Sequence, residues 1–301
     1  LYTLIQKEEK KALKITYIGE QAVDVGGPAQ EFLTTLVEEV CKTLQPTQHT
    51  ETLFRPKISF IKPEHTKALE QLGALLIFCV HSPSKYVIGR QLNPALFVAL
   101  CKLTKDLVAC DFDALAATHF EALFAIYEAM NAIDEDDLAG LLRMKAYIAE
   151  NSAPIEPVIE AMREDLEPCI LLYKGMLKTP FAVEILAKMK PEELEETLQG
   201  TLEPEMVVKQ LAIKAAQAPQ EWIKEWILGL SPAKTKLFLR LITGTPALGK
   251  RMLNIEFFET TLQFSTCTQT LTLPVSACDS KRSMIYTLED ALKTSLRFNT
   301  M

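Results

Sequence analysis

The sequence predicts an α+β protein that is mostly helical. Apolar residues recur at helical spacing over most of the 301 residues, whereas about the last forty change to a Thr-rich stretch before a final helix. The length allows one large domain or two of ordinary size. We expect a large helical N-terminal body, residues 1–217, and a small α+β C-terminal unit, residues 218–301.

The predicted elements follow from local patterns. Leu13–Ile18 alternates as a short strand does. Apolar residues from Phe32 to Val40 predict a helix, and Pro28 suits its first turn after two glycines. Further helices are predicted near 64–81, 95–109, 113–131, 135–149, 155–176, 191–199, 204–217, 219–229 and 232–243.

The C-terminal segment has a different composition. Phe264–Pro274 is rich in threonine, which favours strand and loop over helix. Ser283–Phe298 returns to helical spacing. Pro219 disfavours helical geometry at the residue before it, so we expect it to break the preceding helix and to place a hinge at 215–220.

Composition argues against two classes of partner. The net charge is −7, and no stretch concentrates Lys and Arg as a general nucleic-acid binder would require. The longest apolar run, residues 74–80, is far shorter than the ~20 residues of a membrane helix. We therefore expect no nucleic acid and no membrane. The start resembles no signal peptide and lacks Met, so we expect an excerpt from a longer protein.

The cysteine pattern predicts reduced thiols and no cofactor. The seven cysteines are odd in number and form no CxxC pair, which favours a cytoplasmic or nuclear location over a disulfide scaffold. The four histidines lack the short mutual spacing of zinc ligands, so we expect no metal site. No glycine-rich phosphate loop is present, and Gly26-Gly27 is interpreted as a helix-entry turn.

Cys267 is the candidate nucleophile. It lies in the polar stretch Ser265-Thr-Cys-Thr-Gln269, whereas most other cysteines lie in apolar helical contexts. An accessible thiol that ionises is a nucleophile, and a buried thiol is a small hydrophobe. The pattern alone also permits an ordinary loop cysteine, and no histidine lies in a known catalytic signature with it.

Five segments, in order along the chain, resemble the HECT ubiquitin-ligase domain. They are Tyr17–Phe32 with its Asp-Val-Gly-Gly and Glu-Phe, the Glu193-Leu-Glu and Gly200 region, Trp222-Ile-Lys-Glu-Trp226, Lys236–Thr245 with its Thr-Gly, and Ser265-Thr-Cys267 followed by Leu271-Thr-Leu-Pro274. The chain also ends as this family does, with an aromatic residue, Phe298, fourth from the C-terminus.

The resemblance implies a bilobal architecture and a covalent relay. Cys267 would accept ubiquitin from a ubiquitin-conjugating enzyme as a thioester and pass it to a lysine of a protein substrate. The N-lobe, 1–217, would dock the conjugating enzyme through a sublobe within 112–190, and the C-lobe, 218–301, would carry the cysteine. Phe298 and Thr266 would help to position the C-lobe and its cysteine during transfer.

The chain departs from the family pattern at several places. Ser265 stands where the family usually has His, and Thr268 and Gln269 where it has Phe and Asn. Thr272 stands between Leu271 and Leu273, where the family commonly has Asp. This difference removes a carboxylate that could orient or deprotonate the acceptor amine. These departures keep open an alternative, a catalytically impaired binding module of HECT type within a larger ligase. A third possibility is a helical scaffold protein in which the five resembling segments occur by coincidence.

Overall fold

A computed structural model describes residues 27–44, 56, 62–82, 86–88, 92–132, 135–151, 154–179, 181–249, 251–259, 262–266 and 268–298. Its helices are α1 (Gly27–Leu44), α2 (Pro63–His81), α3 (Pro94–Lys102), α4 (Phe112–Asn131), α5 (Glu135–Asn151), α6 (Glu156–Leu177), α7 (Ala182–Lys188), α8 (Pro191–Gln199), α9 (Pro204–Lys209), α10 (Gln217–Leu228), α11 (Pro232–Thr243) and α12 (Lys281–Phe298). Its strands are β1 (Leu211–Ile213), β2 (Leu253–Phe257), β3 (Gln263–Ser265) and β4 (Thr270–Leu273). The mostly helical α+β class is confirmed.

The protein divides into two compact units. The first takes its residues from Val37–His81 and Gln91–Leu198, and the second from the described part of Lys11–Leu36, from Ser82–Arg90 and from Gln199–Met301. The predicted boundary between residues 217 and 218 falls inside the second unit and stays a prediction.

The first unit is a helical assembly centred on the packing of α2 against α6. Both helices bury continuous apolar stretches, and Leu72, Leu76 and Met162 have no exposed surface. The two backbones approach closely where Gly73 faces the carbonyl of Leu172. Glycine is needed at this crossing because a Cβ there would overlap the carbonyl oxygen.

The second unit is built around a four-stranded sheet in the order β1-β2-β4-β3. β1, β2 and β4 are parallel, and β3 pairs with β4 in the antiparallel direction. One face of the sheet carries Leu253, Ile255, Leu271 and Leu273, which are buried in a core shared with α9, α10, α11 and α12. The alternating residues of β2 and β4 lie half-exposed on the other face.

An ion-paired cluster holds α12 against its neighbours in the second unit. The Glu289 carboxylate on α12 accepts a hydrogen bond from Trp226 Nε1 at 3.1 Å and pairs with Lys234 Nζ at 2.8 Å. The hydrogen bond from Lys234 holds the pKa of the Glu289 carboxyl below its ordinary value. Trp226 also packs edge-to-face on Phe238, with the ring centroids 5.6 Å apart.

Most predicted helices are confirmed, and several expectations are wrong. The predicted helix 204–217 ends at Lys209, and strand β1 follows it. Pro219 therefore does not break that helix; it lies in the first turn of α10, where proline is tolerated. The predicted helix 95–109 stops at Lys102 and a single 3-10 turn follows. The predicted strand Leu13–Ile18 lies outside the described residues.

The close crossing of α2 and α6 gives a stability prediction. We expect Gly73→Ala to destabilise the first unit by about 2–3 kcal/mol, because the added methyl group must push the Leu172 backbone away. Gly175→Ala should act similarly against the Glu70 carbonyl. Chemical denaturation of the purified variants measures both effects.

Gly140→Ala is the matched control for this prediction. A Cβ at Gly140, on α5, meets nothing within 4 Å. Because alanine favours a helix over glycine by about 1 kcal/mol, we expect this variant to be as stable as the parent or slightly more stable. Equal stability of Gly73→Ala and Gly140→Ala would contradict the close helix crossing.

Candidate functional site

The candidate site is the short connection between β3 and β4. β3 ends at Ser265, and β4 begins at Thr270. Cys267 lies between them and outside the described residues, but its neighbours Thr266 and Thr268 are described. Thr266 is half-buried, and Thr268 is exposed. The connection is therefore a tight turn with at least one residue next to the cysteine in solvent.

A side-chain bridge spans the position of the cysteine. The Thr268 hydroxyl donates to Ser265 Oγ at 2.8 Å, and the Thr268 N–H approaches the same oxygen at 3.5 Å. Ser265 and Thr268 are two of the positions at which the chain departs from the HECT pattern. Their side chains are hydrogen-bonded to each other. The bridge ties the last residue of β3 to the residue two positions before β4.

Strand β2 braces the turn from the adjacent side. Asn254 Nδ2 donates to the Thr268 carbonyl at 3.3 Å, and the Thr270 hydroxyl donates to the same carbonyl at 3.2 Å. The Asn254 N–H donates to the Gln269 carbonyl at 2.8 Å. The peptide groups that follow the cysteine are thus tied to the sheet.

Gln269 completes the turn in an unusual backbone conformation. Its φ of 51° lies in the left-handed region, which Gly, Asn and Asp adopt more readily than other residues. Its side-chain oxygen is buried without a hydrogen-bond partner. Both features cost free energy, which the hydrogen bonds of Asn254, Thr268 and Thr270 offset.

The environments of the other cysteines differ from this turn. Cys41, Cys79 and Cys169 are buried, and burial raises the pKa of the Cys79 thiol to about 12. Partial burial raises the pKa of Cys101 to about 11, and burial also raises that of Cys278. A raised pKa keeps a thiol protonated and unreactive at neutral pH. Of the six described cysteines, Cys110 alone is exposed.

The second unit also contains three of the segments that resemble the HECT domain, whereas Glu193-Leu-Glu195 lies on α8 in the first unit. Trp222-Ile-Lys-Glu-Trp226 lies on α10. Lys236–Thr245 begins inside α11 and runs past its end, with Gly244 as the left-handed C-cap at φ 77°. Leu271-Thr-Leu-Pro274 is β4 and the residue that follows it. These three segments are brought together around one sheet and one core.

Of the two predicted positioning residues, Thr266 and Phe298, only Thr266 has a described side chain. Thr266 lies in the turn, directly before the cysteine. Phe298 ends helix α12, but its side chain is not among those described. Its predicted role in transfer therefore stays a prediction.

Sequence reasoning missed Asn254 and the strand that carries it. β2 lies in the segment Leu253-Asn-Ile-Glu-Phe257, where buried and half-exposed residues alternate at its start. That alternation is typical of a strand. The pairing of β2 with β4, however, depends on the tertiary fold. Helix α7 and strand β1 were also missed.

Among the residues that the structure describes, no group of three or more His, Cys, Asp or Glu side chains is arranged to hold a metal ion. None of the described helices has both the length and the apolar character needed to cross a membrane.

The bridge across the turn can be tested without any assay of activity. We expect Thr268→Val to speed hydrogen exchange of the backbone amides in the 265–270 peptide about fivefold, because one neutral hydrogen bond contributes roughly 1 kcal/mol. Thr268→Ser keeps the hydroxyl and should exchange as the parent does. Mass spectrometry of the peptide gives the rates.

The control for this measurement is Thr287→Val. The Thr287 hydroxyl donates to the Ser283 carbonyl within α12 at 3.0 Å, so the same chemical change is made away from the turn. Thr287→Val should leave the hydrogen-exchange rates of the 265–270 peptide unchanged. If Thr268→Val also leaves that peptide unchanged, the bridge does not order the turn.

Comparison with known proteins gives no assignment. No protein-family model matches the chain, and a search of the curated proteins found no match. The functional interpretation therefore depends on the five sequence segments and on the geometry of the β3–β4 turn.

Proposed function

We propose that this chain is a ubiquitin-protein ligase domain of HECT type and that Cys267 is its thioester nucleophile. The observation that carries the proposal is the β3–β4 turn, which presents a Thr-Cys-Thr sequence at the end of a sheet and braces both sides of the cysteine. Such a turn suits a nucleophile, since Thr268 beside the cysteine is exposed and hydrogen bonds hold the described residues around it in place.

The proposed first step is a thioester exchange. The Cys267 thiolate attacks the carbonyl carbon of ubiquitin's C-terminal thioester on the conjugating enzyme. A new C–S bond forms, the old C–S bond breaks, and the conjugating enzyme's cysteine leaves as a thiolate. In the second step a substrate lysine amine attacks, which yields an amide and regenerates the Cys267 thiol.

Electrostatics and exposed apolar surface support docking of the conjugating enzyme within 112–190. That segment contains 14 acidic and seven basic residues, a net charge of −7. Within it, α5 exposes the large apolar side chains of Leu142, Met144 and Tyr147. The net negative charge of the segment favours a partner with a basic surface, and the exposed side chains on α5 favour an apolar contact.

The bilobal architecture with lobes 1–217 and 218–301 belongs to the same proposal. In it the C-lobe carries Cys267 between the docked conjugating enzyme and the substrate, and Phe298 and Thr266 position it. The proposed location is the cytoplasm or the nucleus, where thiols stay reduced. No cofactor or metal takes part in the proposed chemistry.

The second candidate function is a binding module that has lost catalysis. The observation that favours it is Thr272 on β4, where a carboxylate would serve the transfer to lysine better. In this case ubiquitin or a conjugating enzyme binds, but no covalent adduct forms. The thioester assay below separates the two candidates.

Incubation with charged conjugating enzymes tests the proposal. We expect a ubiquitin adduct that a thiol reductant cleaves, because a thioester is the intermediate. Cys267→Ala should abolish the adduct, since it removes the attacking sulfur. Non-reducing electrophoresis with and without reductant measures the adduct.

Cys110→Ala is the matched control, because Cys110 is the exposed thiol among the described cysteines. This variant should load as the parent does. An adduct that persists in Cys267→Ala would move the nucleophile elsewhere. Absence of any adduct across a broad panel of conjugating enzymes would favour the binding module.

A further inference from the structure

The chain contains four positions at which serine or threonine is followed directly by proline. They are Ser82, Thr179, Ser231 and Thr245. The fold buries three of these residues, since Ser82 is 3% exposed and Thr179 and Thr245 are each 1% exposed. Ser231, in contrast, is exposed. An enzyme that modifies Ser-Pro or Thr-Pro sequences can therefore reach Ser231 in the folded chain, whereas the other three hydroxyl groups are closed to it.

The residues that follow Ser231 are exposed as well. All four members of the segment Ser231-Pro-Ala-Lys234, which leads into helix α11, lie at the surface. Ser231 itself has an extended backbone, with φ −68° and ψ 157°. Proline-directed protein kinases select a serine or threonine that precedes proline, and some of them favour a basic residue three positions after the acceptor. Ser231 has both features.

A second segment shows why the fold matters for this choice. Ser82-Pro-Ser-Lys85 has the same Ser-Pro-x-Lys pattern in the sequence, but Ser82 is buried. A kinase must bring the acceptor hydroxyl to ATP, so modification of Ser82 would require local unfolding. Exposure of the acceptor therefore separates two segments that the sequence alone leaves equal.

We propose that Ser231 is a phosphorylation site for a proline-directed serine/threonine kinase, and that the phosphate competes with Glu289 for Lys234. This inference goes beyond the proposed ligase function and does not depend on it. Ser231 Oγ attacks the γ-phosphorus of ATP and forms a new P–O bond. The bond from that phosphorus to the oxygen shared with the β-phosphate breaks, its electrons leave with ADP, and the hydroxyl proton passes to a base of the kinase.

The contacts of Lys234 indicate what the phosphate changes. The Lys234 N–H approaches Ser231 Oγ at 3.4 Å, and its Nζ lies 2.9 and 2.8 Å from the two carboxylate oxygens of Glu289. A phosphate on Ser231 carries a charge of about −1.5 to −2 at pH 7, which exceeds that of a carboxylate. It therefore draws Lys234 away from Glu289. Because Glu289 also accepts the hydrogen bond of Trp226 Nε1, the change reaches the contact of α12 with α10 and α11.

Treatment of the whole folded chain with a cyclin-dependent kinase and ATP tests the site. We expect one phosphate, on Ser231, because the other three Ser-Pro or Thr-Pro hydroxyl groups are buried. Ser231→Ala should take up no phosphate, and Pro232→Ala should also lose it, because these kinases select the proline. Mass spectrometry of the digested protein locates the modification.

Ser280→Ala is the matched control. Ser280 is exposed, and its Oγ accepts the Ser283 N–H at 3.1 Å at the start of α12, so it resembles Ser231 in its place at a helix start. Lys281 follows it instead of proline, so this variant should take up phosphate at the parent rate. Phosphorylation of Ser82 in the folded chain as fast as Ser231 would overturn the role of exposure.

Synthetic peptides separate the sequence from the fold. The peptides 228–237 and 79–88 should both be phosphorylated, because a short peptide cannot bury its serine. A kinase that modifies the first peptide and leaves Ser231 of the folded chain unmodified would overturn the site on grounds of access. A kinase that modifies neither peptide would overturn it on grounds of sequence.

The competition for Lys234 has a readout of its own. The chain has two tryptophans, so its indole N–H groups give two NMR signals, and Trp222→Phe identifies them. We expect phosphorylation of Ser231 to shift the signal of Trp226, which donates to Glu289, more than that of Trp222. In Glu289→Gln, which has no carboxylate for Lys234 to leave, this shift should be largely lost. A Trp226 signal that does not move in the phosphorylated parent, or that moves equally in Glu289→Gln, would overturn the competition.

Discussion

The pairing of β2 with β4 is the interaction on which the candidate site depends. β2 carries Asn254 to the turn, and β4 fixes where the turn ends. The backbone hydrogen bonds between the strands also set which residues share a face. A shift of one residue in this register would bury Asn254 and expose Ile255, so the apolar core opposes it strongly.

The same core explains why the turn can hold an unfavourable conformation. Leu253, Ile255, Leu271 and Leu273 anchor the two strands beneath the face that carries the turn. The left-handed backbone of Gln269 and its unpartnered side-chain oxygen lie directly before β4. Strain of this kind persists where the surroundings determine the conformation, and it is common at functional sites.

The described thiols differ in their environments. Burial in helical contexts raises the pKa of Cys79 to about 12 and that of Cys101 to about 11. Those thiols stay protonated at neutral pH, and among the six described cysteines Cys110 is the exposed one. Cys110 belongs to the first unit and Cys267 to the second.

Local patterns were sufficient to predict most helices, because each has an apolar stripe and clear end signals. The helices 191–199 and 232–243 were predicted to the residue, the first from Pro191 onward and the second between Ser231 and Gly244. The strand β1 was not predicted, since Leu211-Ala-Ile213 continues a helical apolar pattern and becomes a strand through pairing with β2. Asn254 was missed for the same reason, because cross-strand register is a tertiary property.

The most direct test of the central claim is to identify the cysteine that reacts with ubiquitin itself. The whole chain can be treated with ubiquitin whose C-terminus carries a thiol-reactive electrophile, and the modified peptide mapped by mass spectrometry. We predict a single ubiquitin adduct on Cys267. Modification of Cys110 instead, or no modification of a folded protein, would contradict it.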